Sequence, residues 1–249
     1  MIKKIIKFFF RLFKLKITKI TSEEDFPVDA NEEIKKFIEI SNNYSMTGKK
    51  RMYLLAQAIL NVKNNKLEGD FVECGVWKGG NLVLFKLLGK FYDLNKNIYA
   101  YDTYEGMTAP EDMDVTYDGV SAKILMNNSE KKEGKKDIHC FSGIDRVKKN
   151  ILEYSDLNNI EFIIGKVEKT LLLEKNLPKK ISILRLDTDF YSSTKIELEV
   201  LYPRLVSGGV LIIDDYGYWK GAKKAVDEYL GDNKWLHIVD HTCRYLIKN

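Results

Sequence analysis

Three carboxylates stand at the ends of two apolar runs. Ile181–Leu186 (ISILRL) is followed by Asp187, and Val210–Ile213 (VLII) is followed by Asp214 and Asp215. In an open α/β sheet, ligands gather outside the carboxyl ends of the parallel strands. If the two runs are neighbouring strands, the three acids meet at one point. An oxygen-only donor set of that kind suits a hard divalent cation such as Mg2+. A local alternative exists for any one acid, since Asp at a strand end also caps the turn or helix that follows. An Asp-Asp pair directly after a buried strand, with Asp187 on its neighbour, favours the metal.

A second constellation lies earlier in the chain. Phe71–Cys74 is a short apolar run with Glu73 near its end, followed by Gly75, Gly79 and Gly80 and a helical stretch, Asn81–Lys90. The next apolar run, Asn97–Ala100, leads into Tyr101 and Asp102, 29 positions after Glu73. Strand, glycine turn, helix, strand and acid is the order of nucleotide-type binding in a doubly wound fold. The glycines let the backbone approach a ligand, and the acid can accept ribose hydroxyls. The dinucleotide version needs a glycine two residues after Gly75, where Trp77 stands. An adenosine ligand without a pyrophosphate fits better, and S-adenosylmethionine is the common one.

The elements that must position these residues follow an α/β rhythm. Two helical stretches come first, one capped by Asn31 and one over Arg51–Val62; Thr47 and Arg51 stand where the second could reach a cofactor. Beyond Asp102, Thr103–Asp137 is long for a connection and reads as a lid, the alternative being an insertion that only decorates the surface; its stretch NNSEKKEGKKD reads as solvated or mobile. Ile144–Tyr154 reads as a helix, Ile160–Ile164 as a strand, and Gly165–Asn176 as a turn and helix. Ser192–Leu205 reads as a helix capped by Ser192 or Ser193, and a Gly208-Gly209 turn precedes the strand Val210–Ile213. Trp219–Leu230 is helical, and Trp235–Val239 and Cys243–Ile247 form an antiparallel hairpin because only three residues join them. Tyr216, Tyr218 and Trp219 either stack on a ligand ring or simply pack.

The 249 residues carry a net charge of +4, but residues 1–20 hold seven basic residues and no acid. The remainder is therefore +4 less seven, a net −3, which argues against a nucleic-acid partner. Three scattered cysteines, Cys74, Cys140 and Cys243, offer no disulfide framework and fit a reducing cytoplasm. Within residues 1–17, Lys3, Lys7, Arg11 and Lys14 fall on one helical stripe, opposite Ile2, Ile5, Ile6, Phe9, Leu12 and Phe13. Such a helix lies on the inner face of an anionic membrane, or packs on the body or on a second subunit of a homo-oligomer. Charges interrupt it too often for a transmembrane span.

Several stretches together resemble the macrocin O-methyltransferase (TylF/MycF-like) family: GDFVECGVWKGGN (69–81), YDTYEGM (101–107), IIGKVEKTL (163–171), LRLDTDFYSST (184–194) and GGVLIIDDYGYWKGAKKAVDEY (208–229). The resemblance covers about residues 45–247 and leaves out the first 25. It implies a Rossmann-like, seven-stranded class I methyltransferase fold with an N-terminal helical cap. The expected segments are a basic helix over 1–20, a cap over 21–69 and a methyltransferase domain over 70–249. It implies transfer of a methyl group from S-adenosylmethionine to a sugar hydroxyl, with Mg2+, in glycan or natural-product biosynthesis. By position, Glu73, Gly75, Trp77 and Gly79 look like the cofactor turn, Asp102 the ribose acid, and Gly165 and Glu168 the border of the adenine. Asp187, Asp214 and Asp215 look like metal ligands, with Asp187 also the catalytic base and Asp189 the runner-up. Catechol-type relatives of the fold carry a lysine three residues after the first acid, where this chain has Phe190. The phenolic acceptor and a non-catalytic scaffold are the competing readings.

Overall fold

The computed structural model describes residues 26–231 and 235–249. The chain divides into two units, Met1–Ala30 and Asn31–Asn249. The expected basic helix lies outside the described residues. The helical cap from Asn31 onward belongs to the same unit as the sheet.

That unit opens with α1 (Glu32–Asn42), whose N-cap Asn31 accepts the N–H groups of Glu33 and Ile34 at 2.9 and 3.3 Å. Helix α2 (Lys49–Asn64) follows and buries Met52, Leu55, Ile59 and Val62. Then come β1 (Asp70–Cys74), α3 (Gly80–Phe91) and β2 (Ile98–Asp102). A long excursion containing α4 (Ala122–Asn127) leads to α5 (Ile144–Leu152) and β3 (Ile160–Ile164). The chain continues through α6 (Val167–Thr170), β4 (Ile181–Leu186), α7 (Tyr191–Leu201) and β5 (Leu205–Ile213). It ends with α8 (Lys220–Leu230), β6 (His237–Ile238) and β7 (Arg244–Ile247).

The strands described here form one seven-stranded sheet in the order β3-β2-β1-β4-β5-β7-β6. The first five are parallel, and β7 runs antiparallel between β5 and β6. Strand β4 is central, and all six of its residues are buried. Each large aliphatic side chain so buried contributes roughly 1.5–3 kcal/mol.

Register decides what meets at the carboxyl ends. Glu73 pairs with Arg185, and Leu186 pairs with both Cys74 and Ile213. The ladder continues one step further, with Asp187 N–H donating to the Cys74 carbonyl (2.9 Å) and Asp214 N–H to the Leu186 carbonyl (3.0 Å). Gly75, Asp187 and Asp214 therefore stand side by side. Gly75 has φ +85°, and a Cβ there would lie 2.0 Å from the Asp187 carbonyl oxygen, so only glycine fits.

Two local expectations are corrected. Gly208 and Gly209 lie inside β5, where the pairing with β4 shifts register, and do not form a turn before it. Helix α7 is not capped by Ser192 or Ser193: Phe190 is the N-cap residue, and Ser193 donates to the Phe190 and Thr188 carbonyls. The orphan N–H of Tyr191 is met instead by Asp114 Oδ1 at 2.8 Å, from the excursion after β2. That excursion is tied to the body at several points, while residues 127–137 are largely exposed, as expected. Asp114 is buried, Val115 accepts from Lys220 N–H at 2.9 Å, and Gly134 N–H donates to the Phe141 carbonyl at 2.7 Å.

Candidate active site

The carboxyl ends of β1, β2, β4 and β5 surround a cavity of about 210 Å3. Of the residues singled out by sequence, Gly75, Trp77, Asp102, Gly165, Glu168, Asp187, Asp214 and Asp215 all line it. Thr47, Arg51, Cys140, Thr188 and Asp189 join them. Glu73 and Gly79 lie outside the lining. Gly79 opens α3 at φ +84°, and a Cβ there would meet Val147 of α5 at 2.9 Å, so its smallness serves helix packing. Glu73 is buried, accepting from Arg185 Nη1 at 2.9 Å and from Asn81 Nδ2 at 2.8 Å. Burial pushes its carboxyl up to about 7 against the pull of Arg185.

At the β1–β2 side, backbone amides hold the acid. Asp102 Oδ2 accepts Val76 and Trp77 N–H at 2.6 and 3.1 Å, and Oδ1 accepts Tyr104 N–H at 2.7 Å. A carboxylate offers about four lone-pair sites, so one remains for a hydroxyl. The expectation of an acid free to take two ribose hydroxyls is thereby narrowed. Burial raises Asp102, and the three N–H bonds work the other way. Two further polar atoms of lining residues, Trp77 Nε1 and Glu168 Oε2, are buried without a protein partner.

At the β4–β5 side the acids crowd together. One oxygen from each of Asp187, Asp214 and Asp215 lies within 4.8 Å of the others. Two arginines reach into this group. Arg185 Nη1 donates to Asp187 Oδ2 at 2.8 Å, and its Nη2 donates to Asp214 Oδ1. Arg51 donates to Asp214 Oδ2, to Thr242 Oγ1 and, from Nε at 2.7 Å, to Asp240. Asp189 lies close enough to Asp215 for the two carboxyls to shift one another's basicity.

Six carboxyl groups, counting Glu73, Asp189 and Asp240, thus face two guanidiniums, and all but Asp240 are raised in basicity. Burial and then Asp187 push Asp214 up to about 6, against the two arginines. Burial pushes Asp189 up to about 7; Asp215 works against the rise, and the charges of Asp187 and Asp214 add to it. Asp215 is raised by burial and by Asp189, and Asp187 by burial against Arg185. Oxygen donors with no histidine or thiolate, and uncompensated negative charge, fit a hard divalent cation.

Other sequence candidates fall away from the cavity. Trp219 is buried edge-on against Phe190, with ring centroids 5.4 Å apart, and Tyr216 donates to Asp227 at 2.8 Å. Neither they nor Tyr218 line it, so packing is their role. Sequence reasoning missed Arg185. Its signal was a lone charge in an otherwise apolar strand, two residues before Asp187 and so on the same face.

The macrocin-O-methyltransferase (TylF) family description matches residues 3–248. The chain belongs to this family. It is therefore an O-methyltransferase, and the match extends into the N-terminal stretch expected to lie outside it. Demethyldecarbamoylnovobiocin O-methyltransferase of Streptomyces niveus is 30% identical over 197 residues, 76% of this chain and 68% of that protein. Mycinamicin III 3''-O-methyltransferase of Micromonospora griseorubida is 29% identical over 75% of this chain and 70% of its own length. Among solved structures, the O-methyltransferase NovP superposes with a TM-score of 0.73 at 24% identity, over 87% of this chain and 98% of NovP. The calicheamicin methyltransferase CalS11 gives 0.59 at 19% identity over 94% and 99%. These two likenesses establish the class I methyltransferase fold.

Proposed function

We propose that the chain transfers a methyl group from S-adenosylmethionine to a sugar hydroxyl, with Mg2+ held by Asp187, Asp214 and Asp215. The observation that carries this reading is one cavity with two chemistries: a glycine turn with a ribose-type acid, and three clustered carboxylates. Sugar-bearing acceptors are supported by the mycinamicin relative and by the rhamnosyl-tetracenomycin-C 4'-O-methyltransferase of Streptomyces olivaceus, 31% identical over 196 residues.

When bound, the cation would make a coordinated hydroxyl more acidic, and the sulfonium would supply a leaving group that needs no acid. The protein's own residues do the rest. Gly75 and Gly165 let the backbone approach the cofactor, Asp102 accepts a ribose hydroxyl, and the unpartnered oxygen of Glu168 borders the adenine. A base must take the acceptor's proton. Of Asp187 and Asp189, Asp187 is bonded by Arg185, which lowers its basicity, and serves better as a ligand. Asp189, pushed up to about 7 by burial, is the better proton acceptor near neutral pH. Fixing acceptor and donor in one cavity supplies orientation, which can account for a large part of a barrier.

Phe190, buried against Trp219, puts no amine beside the acids, which supports a sugar over a catechol acceptor. A labelled-methyl transfer screen of sugar and phenolic acceptors tests this. Transfer to phenols alone would overturn the sugar assignment.

We extend the proposal to residues 1–17, whose basic amphipathic pattern suits peripheral contact with an anionic membrane. Among the described residues, no helix is long and apolar enough to cross one. Vesicle flotation should then require residues 1–20, and the acceptor would be lipid-linked or a surface glycan. Equal flotation by a chain starting at Thr21 would remove the membrane and leave soluble nucleotide sugars or glycosides.

A further inference from the structure

Helix α7 carries a glutamate on the face it turns to the sheet. Glu197 is fully buried, among neighbours such as Leu198 and Leu201 that are apolar. A carboxyl in that position is costly unless it is hydrogen-bonded, and an aliphatic side chain would fill the space without the cost. Glu197 has a specific partner. The Thr188 hydroxyl donates to its two oxygens at 2.9 and 3.1 Å.

Thr188 sits between Asp187 and Asp189. Its carbonyl accepts from Phe190 N–H at 2.8 Å and from the Ser193 hydroxyl at 3.2 Å. Asp189 adopts φ +69°, a left-handed conformation that a residue with a Cβ holds only when its surroundings enforce it. The loop that presents both acids is therefore gripped at Thr188, by its side chain from below and by its carbonyl from the start of α7.

We propose that Glu197 is a positioning residue, which through Thr188 fixes the loop carrying Asp187 and Asp189 into the cavity. This rests on the roles given to those two acids above. Outer partners of this kind typically change metal affinity or activity by about 10–100-fold when removed.

The test uses the full chain. Thr188→Val leaves the buried carboxyl unpartnered, so it loses stability as well as rate. Thr188→Ser restores the hydroxyl and should recover most of the lost rate. The double variant Thr188→Val/Glu197→Met replaces both partners by apolar groups, which leaves stability nearly unchanged. Its melting temperature should return toward wild type while kcat stays about tenfold down. KM for S-adenosylmethionine should stay within about twofold. Calorimetric Mg2+ affinity, read without turnover, should fall with kcat. If kcat and Mg2+ affinity return together with the melting temperature, Glu197 only fills the core and the proposal is overturned. Wild type assayed alongside separates the two claims: a wild type without Mg2+-dependent methyl transfer overturns the reading of the acids and this inference with it.

Discussion

Two groups of aspartates close the same end of the sheet, and they are held by different means. Asp102 at the end of β2 is held by three backbone N–H groups. Asp187, Asp189, Asp214 and Asp215 after β4 and β5 face two arginines and one another. Amide dipoles stabilise a carboxylate in place and leave a lone pair for a neutral hydroxyl. Carboxylates in excess of guanidiniums leave net charge in a recessed site, and a cation removes it. In the function proposed above, the same residue type at equivalent strand ends serves a ribose on one side and a metal on the other.

The difference can be broken from either side. The largest effect is expected at Asp215, which no arginine bonds in the contacts described above. Asp215→Asn should lower turnover by more than about 100-fold, with S-adenosylmethionine affinity changed less than about threefold in calorimetry. Next comes the cation between the acids. Arg185→Met leaves Glu73, Asp187 and Asp214 without their shared partner and should destabilise the protein by about 3–5 kcal/mol in denaturant unfolding. On the other side, Asp102→Asn should weaken S-adenosylmethionine by about tenfold while leaving calorimetric Mg2+ affinity unchanged.

The smallest effect is a slope. Folded Asp214 and Asp189 hold protons up to about 6 and about 7. An unfolded aspartate releases its proton near pH 3.9. In that window the folded state binds more protons, so stability from these groups is present below pH 4 and lost as pH rises toward 7. The metal-free melting temperature should therefore carry a downward contribution over pH 4–7 that is shallower in Asp189→Asn.

The acids were legible because the signal is local: a buried run ending in Asp marks a strand end, and two adjacent ends bring the acids together. Asp102 was legible for the same reason. The grip on them was not. Arg51 reaches Asp214 from a helix 163 positions away, and Asp114 satisfies Tyr191 N–H across 77. No window of sequence contains such pairs. Ser192 and Ser193 looked like caps because local chemistry favours them there, but a distant carboxylate had taken the N–H. Gly208-Gly209 carries a turn's composition, and the sheet uses it instead for a register shift inside β5. Gly79 looked like part of a ligand turn, yet what lies against it is Val147.

The claim that the clustered acids hold a catalytic cation is tested most directly by following labelled-methyl transfer from S-adenosylmethionine to an accepted sugar. Transfer should stop in excess chelator and resume when Mg2+ is restored. Undiminished transfer in chelator would contradict it.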